Sequence, residues 1–170
     1  MMTSQAPVLV FMGVAGTGKS TVAAMLAGRL NWTFEEGDDL HPEANVKKMA
    51  SGHPLDDDDR WPWLDRIAEW IDERIAAGEP GIITCSALKR SYRDRLRRAV
   101  PDLRFAYLAL TPEEAQRRVA GRGAHFFSPT LVADQFATLE SPVGEPGVVE
   151  VDATAPLAES VARVQRALAR

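Results

Sequence analysis

The chain has a single cysteine, Cys85, and no apolar run near the ~20 residues that a membrane span requires. One cysteine excludes an internal disulfide framework and is typical of a reducing compartment. The apolar start has no basic segment before it and runs directly into a glycine-rich loop, so we expect a buried strand there and not a signal peptide. These absences predict a cytoplasmic protein with no membrane partner.

An excess of positive charge is also lacking. The formal net charge is −4, and sixteen of the 20 basic residues are arginine. A general nucleic-acid binder needs surplus cations to neutralise phosphates, so we do not expect nucleic acid as a partner. Repeats and low-complexity tracts are absent, and a chain of 170 residues suits one domain.

Short apolar runs alternate with helical patterns along the chain. Strands are predicted at 7–12, 32–36, 81–85, 103–110 and 147–151, and helices at 19–30, 60–77, 88–100, 112–122 and from 156 onward. This alternation predicts an α/β fold, a five-stranded parallel sheet with helices on both faces. The least regular segments, 37–59 and 122–146, are candidates for ligand contacts, because such folds bind ligands at the carboxyl ends of strands.

The strongest motif is "GVAGTGKS", residues 13–20, between a predicted strand and a predicted helix. This context indicates a P-loop, whose backbone N–H groups surround phosphate at a helix N-terminus. Lys19 can reach the β- and γ-phosphates of ATP, and the Ser20 hydroxyl can bind Mg²⁺. The predicted ATP contacts from this loop are Gly13, Val14, Ala15, Gly16, Thr17, Gly18, Lys19, Ser20 and Thr21.

Other features narrow the class of P-loop protein. The GTPase patterns D-x-x-G and N-K-x-D do not occur, and the third strand does not end in the Asp that is common in pumps and motors. Arg118 and Arg122 lie four residues apart and share a helix face. They resemble the lid arginines of nucleoside monophosphate kinases, which contact adenine and the transferring phosphoryl group. A solvated helix end is the alternative.

Further motifs extend the resemblance to a family. "GDDLHP", "NVKKM", "PLDDDDRWPWL", "CSALKRSYRDRLR", "HFFSPTLVADQFATLESP" and "VVEVDA" occur in this order. With the P-loop, the chain resembles the small P-loop gluconokinases over essentially its whole length. The resemblance implies ATP- and Mg²⁺-dependent phosphorylation of the 6-hydroxyl of D-gluconate, feeding the pentose phosphate and Entner–Doudoroff routes. It also implies a homodimer, an acceptor-binding segment at about 37–78, and a lid with its following helix at about 122–146.

Transfer to a sugar acid requires particular side chains. An acid must orient the attacking hydroxyl or accept its proton, and Asp38 at the end of the second strand is the first candidate, with Asp39 the second. Arginine forks suit the carboxylate of gluconate. The predicted acceptor contacts are Asp38, His41, Lys48, Arg60, Lys89 and Arg90, and the predicted catalytic residues are Lys19, Asp38 and Arg122.

Several of these residues have a structural alternative. Asp38 or Asp39 can instead cap the segment that begins near Pro42. The acidic run 56–59 is interpreted as a capping run before the helix at 60–77, and Trp61, Trp63 and Trp70 as packing residues. Arg93, Arg95, Arg97 and Arg98 are expected to be solvated or matched to acids elsewhere. Rival functions are a shikimate or nucleoside monophosphate kinase, and a nucleotide-binding regulatory protein without acceptor chemistry.

Overall fold

The computed structural model describes residues 7–98, 100–121 and 129–169. The strands are β1 (Val8–Met12), β2 (Thr33–Glu35), β3 (Gly81–Thr84), β4 (Arg104–Ala109) and β5 (Val148–Asp152). The helices are α1 (Lys19–Leu30), α2 (Glu43–Ala50), α3 (Asp57–Ala77), α4 (Arg90–Arg97), α5 (Pro112–Gly121), α6 (Pro129–Thr138) and α7 (Leu157–Leu168), with a 3₁₀ segment at Gly37–Leu40. No helix in these ranges is long and apolar enough to cross a membrane.

The five strands form one parallel sheet in the order β2-β3-β1-β4-β5. Val10 at the centre of β1 lies opposite Ile83 on one side and Phe105 on the other. All five residues of β1 are buried, as a parallel strand covered on both faces should be. The predicted fold class is confirmed.

Successive residues of β1 pack into two different apolar layers, because side chains alternate across a strand. Val10 packs in the layer that contains Trp63 and Ile67 of α3. Phe11 packs in the opposite layer, with Leu26 of α1 and residues of α7. The sheet is therefore the middle layer of three, and the carboxyl ends of its strands open toward the loops that follow them.

The segments predicted to be least regular contain more helix than expected. Residues 37–59 include the 3₁₀ segment and α2, and residues 129–138 form α6. Both helices are short, and apolar residues recur too weakly in them for the pattern to be recognised in the sequence. The helix α6 lies where the family resemblance implies a helix after the lid, whereas α2 was not among the predicted helices.

The acidic run 56–59 caps α3 and forms its first turn, in agreement with the predicted capping role. Asp59 N–H donates to Asp56 Oδ1 at 2.8 Å, and Asp56 N–H donates to Asp59 Oδ2 at 2.9 Å. The helix begins at Asp57, three residues before the predicted start, because this reciprocal pair satisfies N–H groups of its first turn. The basic helix α4 is shorter than predicted and spans Arg90–Arg97.

Candidate active site

The glycine-rich loop lies between β1 and α1, as predicted for a P-loop. Gly13, Gly16 and Gly18 have φ angles of 141°, 88° and 87°. A Cβ on Gly13 would lie 2.8 Å from the backbone oxygen of Leu108, so a larger residue would collide with β4. The loop leads directly into the N-terminus of α1, where backbone N–H groups and the helix dipole favour an anion.

Lys19 spans this loop. Its Nζ donates hydrogen bonds to the backbone oxygens of Gly13 at 2.9 Å and Val14 at 3.0 Å. Burial lowers the pKa of the Lys19 ammonium, an effect that the nearby Asp38 carboxylate opposes. A desolvated ammonium gains more from a phosphate than a hydrated one, since the surrounding dielectric is low.

The acceptor half of the site begins where β2 ends. Gly37 N–H donates to Thr84 Oγ1 at 3.0 Å, and the Gly37 oxygen accepts from Trp63 Nε1–H at 2.8 Å. A Cβ on Gly37 would lie only 1.7 Å from the Thr84 oxygen, so only glycine fits beside β3. The Thr84 hydroxyl also donates to Glu36 Oε1. These bonds fix the backbone immediately before Asp38.

Asp38 lies in the 3₁₀ segment and faces the site. Its side chain is 64% accessible because it borders an open cavity. The protein around it still raises the pKa of the carboxyl, mainly by desolvation, while Lys19 lowers it. Neither Asp38 nor Asp39 makes a side-chain cap bond to the described backbone, since α2 has no such cap and begins after Pro42. The geometry suits a carboxylate that receives a proton from a bound hydroxyl.

His41 and Arg60 form the wall beside Asp38. The His41 ring stacks on Trp63 with centroids 4.1 Å apart and an interplanar angle of 15°. Burial, and to a lesser extent Arg60, lower the pKa of His41 to about 4. Arg60 is 9% exposed and lies over the Tyr92 ring at 5.3 Å. Within the described residues it makes no ion pair, and its buried Nε has no hydrogen-bond partner.

One cavity joins the two halves of the site. It has a volume of about 220 Å³. Its walls include the P-loop with Lys19 and Ser20, and Asp38, His41 and Arg60 on the acceptor side. Nine of the predicted site residues, from distant parts of the chain, therefore line one cavity.

The other predicted acceptor cations lie outside the lining of this cavity. Lys48 Nζ is 2.6 Å from Asp59 Oδ2, and Lys89 Nζ is 3.0 Å from Asp57 Oδ1. Arg90 is largely exposed, with its Nε 3.7 Å from an Asp94 oxygen. Contacts of Lys48, Lys89 and Arg90 with an acceptor stay predictions.

The two predicted lid arginines have different outcomes. Arg118 donates to the backbone oxygen of Gly16 at 3.3 Å and to that of Ala153 at 2.9 Å. Arg118 thus joins the P-loop to the turn after β5. Arg122, together with the rest of 122–128, lies outside the described residues.

The structure adds residues that the sequence did not single out. Gln135 of α6 accepts a 2.7 Å hydrogen bond from the P-loop N–H of Ala15 and also lines the cavity. Glu36 and Thr84 line it from the ends of β2 and β3. Asn45 of α2 is buried behind His41. Glu36 could have been recognised in the sequence as a carboxylate at the end of a strand. Gln135 could not, because it lies 120 residues from Ala15 and no local pattern connects the two.

Arg93, Arg95 and Arg97 are matched to acids, the second of the two expected outcomes, whereas Arg98 is exposed, the first of them. Arg93 is fully buried and forms a two-pronged pair with Glu145, with its Nη2 2.6 Å from Oε2. Arg95 pairs with Asp65 at 2.7 Å, and Arg97 also reaches Glu145. Arg93 donates to the oxygens of residues 87, 88 and 140, so it fixes the loop before α4 to the segment after α6.

Comparisons with known proteins find relatives that cover most of this chain. A family model described as an AAA domain matches residues 8–143. A gluconokinase of Gluconobacter oxydans is 48% identical, covering 84% of this chain and 80% of the relative. The thermoresistant gluconokinase of Escherichia coli is 43% identical, covering 91% and 89%. The crystal structure of a gluconokinase from Sinorhizobium meliloti is 45% identical with a TM-score of 0.87, covering 99% and 94%. The P-loop lines the same cavity as Asp38, His41 and Arg60. Because relatives this similar also cover most of its length, the chain belongs to the gluconokinase family.

Proposed function

We propose that this protein transfers the γ-phosphoryl group of ATP to the 6-hydroxyl of D-gluconate, giving 6-phospho-D-gluconate and ADP. One observation carries the choice of a sugar acid. Arg60 places a buried guanidinium in the acceptor half of the cavity, without an acidic partner among the described residues. Its neighbours include the Tyr92 ring and, farther away, the Asp57 carboxylate, but no ion pair with a described residue neutralises it. A carboxylate from the substrate would supply that ion pair.

The P-loop binds the phosphates of ATP in this proposal. The backbone N–H groups of 13–18 and the N-terminus of α1 surround them, and Lys19 balances charge that gathers on the transferring group. Arg118 lies beside the loop on the side of the turn after β5, where it is proposed to contact adenine. Arg122 is proposed to reach the transferring phosphoryl group.

Magnesium fits the donor set on the cavity wall. Ser20, Glu36 and Asp38 all line the cavity and offer oxygen atoms, the ligand type that Mg²⁺ prefers. Ser20 is proposed to hold the ion directly. A magnesium ion held there would neutralise part of the negative charge of the phosphates.

Asp38 is proposed to orient the acceptor and take its proton. Its carboxylate faces the same space as Lys19, close enough that each shifts the pKa of the other. The 6-oxygen of gluconate attacks the γ-phosphorus, and the bond between that phosphorus and the β–γ bridging oxygen breaks. The proton of the 6-hydroxyl passes to Asp38. Excluding water from the cavity prevents hydrolysis of ATP in place of transfer.

Arg60 is proposed to bind the gluconate carboxylate, with His41 contacting a hydroxyl. Lys48, Lys89 and Arg90 are proposed as further cations that contact the acceptor, and the segment at about 37–78 as the acceptor-binding segment. The segment at about 122–146 is proposed as the lid and its following helix. We further propose that the chain is one domain, works in the cytoplasm and forms a homodimer, a state that light scattering would test.

A coupled assay of ADP release tests the reaction. D-Gluconate, other sugar acids, shikimate and nucleoside monophosphates would each be offered with ATP and Mg²⁺. Release that depends on gluconate supports the proposal. Preferential turnover of shikimate or a nucleoside monophosphate would assign the chain to a related kinase. ATP binding without stimulation by any acceptor would indicate a nucleotide-binding regulatory protein.

Variants of Arg60 test the carboxylate contact. Arg60→Ala should raise the KM for gluconate far more than the KM for ATP, because the lost contact belongs to the acceptor. Arg60→Lys should recover only part of the loss, since an ammonium cannot reproduce a two-pronged contact. Arg95→Ala is the matched control, because Arg95 pairs with Asp65 away from the cavity lining. A gluconate KM that is unchanged in Arg60→Ala would contradict the contact.

A further inference from the structure

His41 presents its two ring nitrogens to different partners. Its side chain is only 4% exposed, and Trp63 fixes the plane of the ring by stacking. Nδ1 lies 3.2 Å from Nδ2 of Asn45. Nε2 points the other way and lies 3.9 Å from Oδ1 of Asp38, beside the cavity. The position of the single proton on a neutral ring therefore decides whether His41 presents a hydrogen-bond donor or a hydrogen-bond acceptor to the cavity.

Asn45 determines that location. It is 4% exposed, and its Nδ2 also lies 2.9 Å from the backbone oxygen of Asp59. A backbone oxygen only accepts hydrogen bonds, so the Asn45 atom that faces it must be the amide nitrogen. The second hydrogen of that nitrogen is then directed at His41 Nδ1, which must accept it. A neutral imidazole has one donor and one acceptor, so the ring proton is on Nε2.

We propose that Asn45 is a positioning residue that holds His41 in the Nε2–H tautomer. The cavity then presents a hydrogen-bond donor, His41, beside a hydrogen-bond acceptor, Asp38. This inference deepens the proposed function and rests on it. A hydroxyl group matches the pair, because its proton can go to Asp38 while its oxygen accepts from His41 Nε2–H. With the other tautomer, both protein groups would be acceptors, and one hydroxyl could satisfy only one of them.

The same arrangement separates the roles of the two side chains. His41 Nε2 already carries a proton, so it cannot take another from the attacking hydroxyl without becoming charged. Its low pKa, caused by burial and by Arg60, opposes that charge. Asp38 is the proton acceptor, and His41 orients the oxygen that attacks.

Nitrogen-15 NMR of the histidine side chains measures the tautomer directly, whether or not the protein is active. The His41 signals would be assigned by their loss in His41→Gln. We expect Nδ1 at an unprotonated shift and Nε2 at a protonated shift in the wild-type protein at neutral pH. In Asn45→Asp the carboxylate can only accept, so the proton should move to Nδ1. A wild-type proton on Nδ1 would overturn the inference.

Steady-state kinetics of Asn45 variants test whether the tautomer affects turnover of gluconate. Asn45→Asp and Asn45→Ala should lower kcat/KM for gluconate by about 10- to 100-fold, the range expected for one unmatched buried hydrogen bond. The KM for ATP should not change. Lys47→Ala on the same helix is the control, because Lys47 is exposed and pairs only with Glu43 at 3.2 Å among the described residues. Wild-type gluconate kinetics in both Asn45 variants would overturn the inference.

A pair of variants at His41 covers the case in which Asn45 variants fail to fold. Gln and Met are similar in size and both remove the ring stacked on Trp63, but only Gln keeps a donor near the place of Nε2–H. His41→Gln should therefore retain a higher kcat/KM for gluconate than His41→Met. Equal losses would show that His41 only packs. If the wild-type protein does not phosphorylate gluconate at all, the proposed function fails, while the NMR result still decides the tautomer.

Discussion

Acid should destabilise this protein through His41. Burial is the larger cause that lowers the pKa of His41 from 6.5 to about 4, and Arg60 adds to it. Below pH 6.5 the unfolded chain binds a proton at this residue, whereas the folded chain does not until the pH approaches about 4. The unfolded state therefore binds more protons in this window, and the free energy of unfolding falls as the pH falls.

The two pKa values set the size of the effect. With 6.5 and about 4, the linkage relation gives a loss of about 2 kcal/mol between about pH 8 and about pH 5. This loss is a measurable part of the roughly 5–15 kcal/mol that stabilises a typical protein.

Urea unfolding at both pH values would measure the effect in the wild-type protein and in His41→Phe. Phenylalanine keeps a ring against Trp63 but cannot bind a proton. Subtracting one protein's change in unfolding free energy from the other's removes the contribution of carboxyl groups that both proteins share, including Asp38. The His41→Phe variant should lose about 2 kcal/mol less than the wild-type protein on acidification. An equal pH dependence in wild type and His41→Phe would refute the account of His41.

Three further predictions concern other parts of the site and its support. Lys19→Ala should abolish turnover in a steady-state assay while circular dichroism shows an intact fold, because a contact to the transferring phosphate is worth several kcal/mol; near-normal kcat would refute its role. Asp38→Asn should lower kcat by ~10²–10⁴ with little change in ATP affinity; an unchanged kcat would transfer the proton-accepting role to Asp39. Glu145→Gln should cost about 3–5 kcal/mol in urea unfolding, because it leaves the buried Arg93 without its acid; a loss below about 1 kcal/mol would show that the other acceptors of Arg93 suffice.

The fold and the nucleotide end could be predicted because their signals are local. The apolar run of β1, the glycine spacing and the start of α1 at Lys19 occur within a few residues of one another, and the structure confirms each. The cap of α3 is also local, since Asp56 and Asp59 lie three residues apart.

The acceptor wall depends on contacts that no local pattern encodes. Asn45 matters because two of its neighbours, His41 and the Asp59 oxygen, lie on either side of one amide nitrogen. Gln135 reaches Ala15 across 120 residues. Lys48 and Arg60 were both predicted to contact the acceptor, Arg60 through a two-pronged contact and Lys48 through a single one. Burial separates them, because Lys48 pairs with Asp59 outside the cavity lining and Arg60 lines the cavity.

The most direct test of the central claim compares D-gluconate with D-glucose as acceptors for the wild-type protein. Both offer a 6-hydroxyl, but only gluconate has a carboxylate to pair with Arg60. A site built on polar pairing rejects the unpaired analogue by ~10⁴ or more, so kcat/KM for gluconate should exceed that for glucose by this factor. Comparable kcat/KM values for the two sugars would contradict the account of the cavity.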